Sequence, residues 1–465
     1  MTVAEATPDL EQVDRNDRAF LGHPKGLGYL GFTEGCERFS YYSMQTLLVL
    51  YMVNYLLVPG RMEKVIGLEW LQAHVYHVIS GQPLASAIFG TYTSLVYGTP
   101  ILGGIIADKW LGRDKTLILG GILMAIGHFL MAIESAFVFA LLALLLGVGA
   151  FKGNIATQVG ALYRQNDLRR AMAFQIFYIF INVSVIVAPL ISGTLGQKVG
   201  WHYGFGCAGV VMVLGLIIYL SGRRYLPAEE LVAPSEEPAL REPLTRDDWM
   251  CVLYLIILIP VMAVSLLTNQ QIFNAYLTWG DQHFDLTLLN NTSSWLITVD
   301  AAVSFTMLVA VAAFWKWYGT RGREPDEITK IIIGSIFTVA GGLCLFMAAL
   351  TQPPGGKISL FWPMMFELCN SIGFAHVLPI SLALFSKIAP KQITATVVGL
   401  YYLSFFIANA VVGYVGGLYS SLPTTTFWLI HVASAAFGLV AFAVFKIVLG
   451  KRMTSGAKEQ AAALS

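Results

Sequence analysis

Long apolar runs, separated by short polar stretches, occupy most of the chain between residues 27 and 449. Each run has roughly the 20 residues that an α-helix needs to cross the hydrocarbon core of a bilayer. We therefore predict twelve membrane-spanning helices, referred to as spans 1 to 12. Their predicted bounds are 27–57, 83–108, 114–133, 137–161, 170–196, 203–222, 249–275, 291–315, 328–350, 359–386, 394–418 and 426–449.

The positions of lysine and arginine test this arrangement, because cytoplasmic loops carry an excess of both. Of the 29 such residues, 19 lie in the two terminal segments and the even-numbered connections, 4 lie in odd-numbered connections and 6 lie within the predicted spans. Four of those six, Lys115, Arg170, Lys330 and Lys446, lie within four residues of the span end that faces an even-numbered connection or a terminal segment. This bias places both termini in the cytoplasm. The predicted divisions are a cytoplasmic tail at 1–26, a six-helix bundle at 27–222, a cytoplasmic linker at 223–248, a second six-helix bundle at 249–449 and a cytoplasmic tail at 450–465.

Composition supports a polytopic, all-α membrane protein. Of the 465 residues, 56% are hydrophobic and 12% are charged, whereas soluble domains carry about 25% charged residues. The net charge of +1 gives no indication of nucleic-acid binding. No nucleotide-binding loop, paired metal-ligand motif or nucleophile constellation is visible, so we predict no catalytic residue and no metal site.

Span 1 contains a cluster of polar side chains, Glu34-Gly-Cys-Glu37-Arg38-Phe-Ser-Tyr41-Tyr42. An ionisable group at bilayer depth costs roughly 2.5 to 3.5 kcal/mol, and such groups persist mainly where they face a wet cavity or one another. Spacings of three and four residues place all five side chains on one broad helix face. The pattern therefore predicts a polar stripe that lines an internal path.

The connection between spans 2 and 3 has a distinctive order, Gly103-Gly-Ile-Ile-Ala-Asp108-Lys-Trp-Leu-Gly-Arg113. It resembles the cytoplasmic loop signature of the major facilitator superfamily. Small residues permit close helix approach, and Asp108 with Arg113 can form charge pairs that open and close as two bundles move. We predict a gating role for both residues. The alternative is a basic loop that only sets topology.

The run 34–42 matches the first-helix signature of the proton-dependent oligopeptide transporters, the POT family. Further similar segments carry Tyr92, Lys152 and Asn182, and the resemblance extends over nearly the whole spanning region. It implies a major facilitator fold of two six-helix bundles and the import of dipeptides and tripeptides, driven by protons, across a cell inner membrane. It also implies contact with membrane lipid, no cofactor besides the coupling proton and no obligate protein partner.

The residues make physical sense of that function. Short peptides share a terminal carboxylate and a terminal ammonium, and the Arg38 fork and the Lys152 point charge both suit a carboxylate. Protonation of Glu34 or Glu37 would free Arg38 for substrate. The alternative interpretation is that Arg38 forms a permanent ion pair that only stabilises packing. The proposed peptide contacts in this half are Arg38, Tyr41, Tyr42, Tyr92, Lys152 and Asn182.

Span 10 departs from the family pattern. Relatives usually have a glutamate there that holds the peptide ammonium, but the aligned residue in this chain is Phe374. Glu367 lies seven residues earlier, about 10 Å along the helix axis, and Asp300 lies near the middle of span 8. We hypothesise that Asp300 or Glu367 takes over the ammonium contact or the proton binding, with Asp300 favoured for its depth.

A second departure concerns the outer gate. Many relatives pair an arginine of span 1 with an acid of span 7, whereas the corresponding residues here are Gln45 and either Asn269 or Gln270. Losing both charges together leaves neither one buried alone, so we expect a neutral gate. Asn269, Gln270 and Asn274 are also predicted to face the cavity, although Asn274 fits equally well at a helix end. The predicted pocket walls from span 11 are Tyr401, Tyr402 and Ser404.

Two other functions remain open from the sequence. One is a relative that moves another small anionic or zwitterionic solute, such as nitrate or a modified amino acid, which the complete span 1 signature disfavours. The other is a membrane-embedded enzyme, for which no catalytic motif is present. A proton-coupled peptide symporter that works by alternating access is the favoured interpretation.

Overall fold

The computed structural model describes residues 17–77, 79–164, 167–227 and 244–462. These residues fold into α-helices joined by short turns and brief 3₁₀ or π segments. The α-helices are α1 (Lys25–Tyr51), α2 (Leu68–His74), α3 (Gly81–Ile106), α4 (Arg113–Leu130), α5 (Phe137–Ala161), α6 (Arg169–Ala188), α7 (Trp201–Gly222), α8 (Arg246–Ser265), α9 (Leu267–Gln270), α10 (Ala275–His283), α11 (Trp295–Gly319), α12 (Glu327–Leu350), α13 (Phe361–Ile388), α14 (Thr394–Gly417) and α15 (Thr424–Ala462).

The predicted all-α class is confirmed, and each of the twelve predicted spans corresponds to helix in the structure. Within the described residues, nine helices are long and apolar enough to cross a membrane. Helices α1, α3 and α4 are not among the nine, and α1 is the helix that carries the Glu34, Glu37 and Arg38 cluster. Most of the predicted 1–26 tail and of the 223–248 linker lies outside the described residues, as do 463–465 of the predicted C-terminal tail.

Span 7 is the main difference from the predicted bounds. It is not one continuous helix ending at residue 275, because α8 is followed by short helical pieces and then by α10, which ends at His283. At the break, Asn274 has φ −119° and ψ −105° and begins α10. Its buried side chain accepts a hydrogen bond from Ser86 Oγ at 2.9 Å and donates one to the Val412 carbonyl at 3.3 Å. These bonds to α3 and α14 stabilise a backbone bend that local hydropathy does not encode.

The chain divides into two compact units. The first contains Met1–Met44, Gly98–Ser192 and Gly200–Glu237, and the second contains Gln45–Tyr97, Gly193–Val199 and Pro238–Ser465. In the first unit, glycines let helices touch closely: a Cβ on Gly103 of α3 would stand 2.0 Å from the Gly149 carbonyl oxygen of α5. The second unit has a core of apolar side chains from α8, α12, α13, α14 and α15.

Candidate functional site

The polar cluster of α1 forms one ion-pair system inside the first unit. Arg38 Nε lies 2.9 Å from Glu34 Oε1 and 2.6 Å from Glu37 Oε2. The three residues are almost fully buried, with exposed fractions of 3% for Glu34, 0% for Glu37 and 4% for Arg38. A charge without a partner would be strongly destabilised at such burial, so the helical spacing that brings two carboxylates to one guanidinium is what makes the cluster stable.

The cluster retains unused hydrogen-bonding capacity. Within the described part of the chain, Arg38 Nε and Nη2, Glu34 Oε2 and both carboxylate oxygens of Glu37 are buried without a completed hydrogen bond. The Arg38 guanidinium lies 5.4 Å from the centre of the Tyr41 ring, and Tyr42 also faces it. Lys152 of α5 interacts electrostatically with both glutamates and with Arg38. The structure therefore brings together six of the predicted residues, with a donor available for an additional acceptor.

Neighbouring helices of the first unit hold α1 in place. Ser184 of α6 donates a hydrogen bond to the Gly35 carbonyl at 2.7 Å, and Ser40 of α1 bonds to His128 of α4. Gly215 of α7 lies so close to α1 that a Cβ there would be 2.7 Å from Cys36 Cβ. These contacts on three sides fix the orientation of the face that carries the ion pairs.

Asp300 and Glu367 are brought together in the second unit, on α11 and α13. Glu367 is completely buried, and Tyr276 of α10, also completely buried, faces it. From the sequence the two acids were alternatives, and Tyr276 was not among the predicted site residues. Helix spacing could not reveal this cluster, because its members come from three helices.

Other predicted contacts in the second unit have mixed surroundings. Asn269 lines a small cavity together with Ser335, Thr338, Asn370 and Phe374. Phe374, the residue aligned with the usual glutamate, thus still faces a cavity. The side chain of Gln270 accepts a hydrogen bond from Asn409 of α14 at 3.4 Å and donates one to Asn269 at 3.1 Å.

Several remaining candidates use their polar groups in local packing. Asn182 donates to the Tyr178 carbonyl one turn away at 2.8 Å, and Ser404 donates to the Tyr401 carbonyl at 2.6 Å. The buried Tyr401 hydroxyl donates to the Leu378 carbonyl at 3.1 Å. Tyr402 is 44% exposed, whereas Tyr92 and Gln45 are buried, with exposed fractions of 4% and 7%. The predicted roles of these residues stay predictions.

The predicted gating loop forms the expected ion pair, with Arg113 Nη2 at 3.8 Å from Asp108 Oδ1. The pair is partly exposed, and a stronger contact lies beside it. Asp114 Oδ2 is 2.6 Å from Arg223 Nη2, and Asp114 Oδ1 accepts a hydrogen bond from Tyr219 at 2.8 Å. Sequence reasoning missed Asp114, although its acidic side chain at the start of α4 was a visible signal.

A second missed residue is Asp281 of α10. Its Oδ1 accepts hydrogen bonds from Ser293 at 2.7 Å and from Gln197 at 3.3 Å, and its Oδ2 accepts one from Asn54 at 3.1 Å. The carboxylate thus joins four separate segments of the second unit. It was overlooked because the predicted span 7 ended at residue 275, which left Asp281 in a loop.

Comparisons with known proteins agree with this description. The family model of the Major Facilitator Superfamily matches residues 38–413. The peptide transporter YePEPT of Yersinia enterocolitica subsp. palearctica serotype O:3 (strain YE-P4) is 28% identical over 86% of this chain and 89% of its own length. A di-/tripeptide transporter of Lactococcus lactis subsp. cremoris is 27% identical over 95% of this chain and 99% of its own length.

The fold is also similar to solved structures. The crystal structure of peptide transporter POT in complex with sulfate has a TM-score of 0.80 and 25% identity to this chain, and the match covers 96% of this chain and 99% of that one. The predicted resemblance to the POT family is thereby confirmed. This multi-pass membrane protein belongs to the major facilitator superfamily, in its POT branch.

Proposed function

We propose that the protein is a proton-coupled symporter that imports dipeptides and tripeptides by alternating access. The observation that carries the proposal is the buried Arg38 guanidinium, because its Nε lies within ion-pair distance of both glutamates while neither Nε nor Nη2 completes a hydrogen bond among the described residues. A guanidinium binds carboxylates through paired N–H donors. The similar proteins include a peptide transporter and a di-/tripeptide transporter, which favours a peptide as the source of that carboxylate.

The ion pairs suggest how proton binding and peptide binding are linked. While Glu34 and Glu37 are both ionised, their two negative charges offset the positive charges of Arg38 and Lys152 and disfavour a further anion. A proton on either carboxylate removes one of those charges. The peptide carboxylate then gains a net attraction to Arg38 and Lys152, so peptide and proton bind together. Because each then stabilises the other, movement of protons down their gradient drives accumulation of peptide.

Dipeptide uptake by proteoliposomes that contain the purified protein tests the proposal. With an inward proton gradient, a labelled dipeptide should accumulate, and an ionophore that dissipates the gradient should abolish the accumulation. The conservative variant Arg38→Lys keeps the charge but loses the fork geometry. It should lower uptake at least about tenfold, because a hydrogen bond to a charged group contributes roughly 1.5 to 3 kcal/mol.

Other outcomes would contradict separate parts of the proposal. Accumulation that is indifferent to the ionophore would remove proton coupling and leave peptide transport. Uptake of nitrate or of a modified amino acid in place of the dipeptide would assign a different substrate. Normal uptake by Arg38→Lys would remove the paired donors from the binding mechanism. Placement in a cell inner membrane is part of the proposal, and membrane fractionation of the source cells tests it.

A further inference from the structure

Two neighbouring contacts show how α11 and α13 align in the second unit. Ser304 and Ser371 share a hydrogen bond of 2.9 Å between their hydroxyl groups. Asp300 and Glu367 lie four residues before these serines, one turn earlier on the same face of each helix. The register that pairs the two serines therefore places the two carboxyl groups opposite each other, and the two groups interact directly.

The surroundings of the carboxyl pair are closed and aromatic. Glu367 and Tyr276 are both completely buried, and the ring centres of Tyr276 and Phe366 are 5.1 Å apart. Both oxygens of Glu367, Oδ1 of Asp300 and the Tyr276 hydroxyl are buried without a completed hydrogen bond in the described residues. Buried polar groups rarely remain in that condition, because each costs about 1 to 3 kcal/mol.

No cation offsets the pair within the described residues. The electrostatic partners of Glu367 are Asp300 and Tyr276, and Glu367 is the partner of Asp300. The other charged or imidazole side chains of α10 to α13 lie toward the helix ends or two turns and more away, and they are Asp281, His283, Lys316, Glu327, Lys330, His376 and Lys387. Lys330 and Lys387 are already paired with Glu324 and Glu327.

Two ionised carboxylates in contact at this depth would repel each other without compensation. A single proton between them removes one negative charge. It also turns one of two facing acceptors into a donor, so that both carboxyl groups complete a hydrogen bond. The Tyr276 hydroxyl is then positioned to donate to the remaining oxygen of Glu367.

We propose that Asp300 and Glu367 form one proton-binding site, a carboxyl pair that holds a single shared proton. The two acids are thus partners in one site rather than alternatives. The pair belongs to the second unit, whereas the Glu34, Glu37 and Arg38 cluster belongs to the first. Its use during transport rests on the proposed proton-coupled symport, but the existence of the shared proton does not.

Carbodiimide labelling tests the shared proton without any transport measurement. Dicyclohexylcarbodiimide reacts with protonated carboxyl groups in apolar surroundings, and mass spectrometry locates the modified residue. In the purified full-length protein, Asp300 or Glu367 should be labelled at neutral pH, with labelling that falls as the pH is raised. Absence of label at both residues across the pH range would overturn the proposal.

Variants distinguish a shared proton from two independent acids. Asp300→Asn removes the charge that favours the proton on Glu367, so the pH midpoint of Glu367 labelling should fall by about one unit or more. Ser304→Ala breaks the neighbouring hydrogen bond between α11 and α13 and leaves the carboxyl groups in place. The pH midpoint of Glu367 labelling in this variant should therefore match that of the unaltered protein. An unshifted midpoint in Asp300→Asn would contradict the sharing.

A transport experiment then tests the role of the carboxyl pair in proton coupling. In proteoliposomes, Asp300→Asn and Glu367→Gln should lose accumulation driven by the proton gradient while retaining peptide exchange between equal concentrations. Retention of gradient-driven accumulation by both variants would remove the pair from coupling. If the unaltered protein moves no peptide, the proposed function fails, and the labelling result still decides whether the shared proton exists.

Discussion

Arg38 is the residue on which the α1 cluster depends, because it is the positive charge in direct contact with two buried carboxylates. Removing both carboxylates leaves that charge buried, with only Lys152, another cation, close by. We expect Glu34→Gln and Glu37→Gln to be tolerated singly, since one carboxylate then remains paired. The double variant should lose about 3 to 5 kcal/mol of stability, the cost of a buried charge whose partner is removed.

Thermal unfolding of the purified variants in detergent measures this difference. Because Arg38 stays ionised under all accessible conditions, raising the pH does not rescue the double variant. A double variant as stable as the single ones would show that another group neutralises Arg38, and the proposed sharing of Arg38 between protein and peptide carboxylates would lose its basis.

Asp326 gives a pH-dependent prediction outside the spans. It is the N-cap of α12 and accepts hydrogen bonds from the Thr329 amide at 2.9 Å and the Thr329 hydroxyl at 2.7 Å, with Lys446 Nζ at 3.2 Å. Partial burial opposes ionisation, but these hydrogen bonds and Lys446 outweigh it and hold the pKa of Asp326 below its usual value. Its contribution to stability is therefore complete above the unfolded pKa and is lost as the pH falls through the lower folded pKa.

Replacing Asp326 tests the predicted direction in which its contribution to stability changes with pH. Asp326→Ala should cost about 1 kcal/mol at neutral pH, whereas Asp326→Asn should cost less, because asparagine is an equally good cap. The difference between Asp326→Ala and the unaltered protein should stay constant down to about pH 5 and shrink only below the unfolded pKa of about 3.9. Unfolding midpoints across this pH range provide the measurement, and a difference that grows on acidification would contradict the assignment.

At the scale of helices, the sequence predicted the elements well because hydropathy directly reports burial in a bilayer. The hydrophobic runs located each spanning helix, and the spacing in α1 correctly joined Glu34, Glu37 and Arg38, since the geometry of one helix fixes which residues are neighbours. The break at Asn274 could not be predicted in this way. It depends on hydrogen bonds to Ser86 and Val412, which are more than a hundred residues away in the chain.

The glycine pair of α3 provides a prediction with a matched control. A Cβ on Gly103 would stand 2.0 Å from the Gly149 carbonyl oxygen, whereas a Cβ on Gly104 has no atom of a neighbouring element within 4 Å. Gly103→Ala should therefore force α3 away from α5 and destabilise the protein by about 1 to 3 kcal/mol. Gly104→Ala should be neutral or slightly stabilising, because alanine is the better helix former by roughly 0.5 to 1 kcal/mol.

Unfolding temperatures of the two variants in detergent settle this comparison. The two glycines are adjacent, share the same helix and differ in what they face, so lipid and detergent effects largely cancel. Equal destabilisation by both substitutions would mean that loss of helix flexibility, rather than contact with α5, is responsible.

At the scale of the whole molecule, the limit of sequence reasoning was the alignment of one helix with another. Asp300 and Glu367 were both recognised as unusual, yet their pairing follows from the register of α11 and α13, which the Ser304 to Ser371 bond shows and hydropathy does not. Asp281 was missed for a related reason. Its importance comes from three partners on different segments, and none of them is near it in span 7.

Asp281 provides the last prediction, because its carboxylate ties together parts of the chain that are far apart in sequence. If the protein works by alternating access, bonds of this kind must open and reform during each cycle. Asp281→Ala removes an acceptor shared by Asn54, Gln197 and Ser293. We expect faster hydrogen–deuterium exchange at 52–57 and 193–199 and a loss of about 2 kcal/mol of stability, in the range for a hydrogen bond to a charged group.

Asp285 is the matched control, since it is exposed and lies four residues later, and its carboxylate accepts hydrogen bonds only from the nearby Thr287 in the described contacts. Asp285→Ala should change stability by no more than about 0.5 kcal/mol, as is usual for surface positions, and should leave exchange at 52–57 and 193–199 unaltered. Equal exchange in the two variants would mean that the Asp281 bonds do not hold these segments. Faster hydrogen–deuterium exchange in Asp281→Ala alone would show that the Asp281 carboxylate holds these segments together. Faster peptide exchange by that variant in proteoliposomes would show that breaking the Asp281 hydrogen bonds limits the transport cycle.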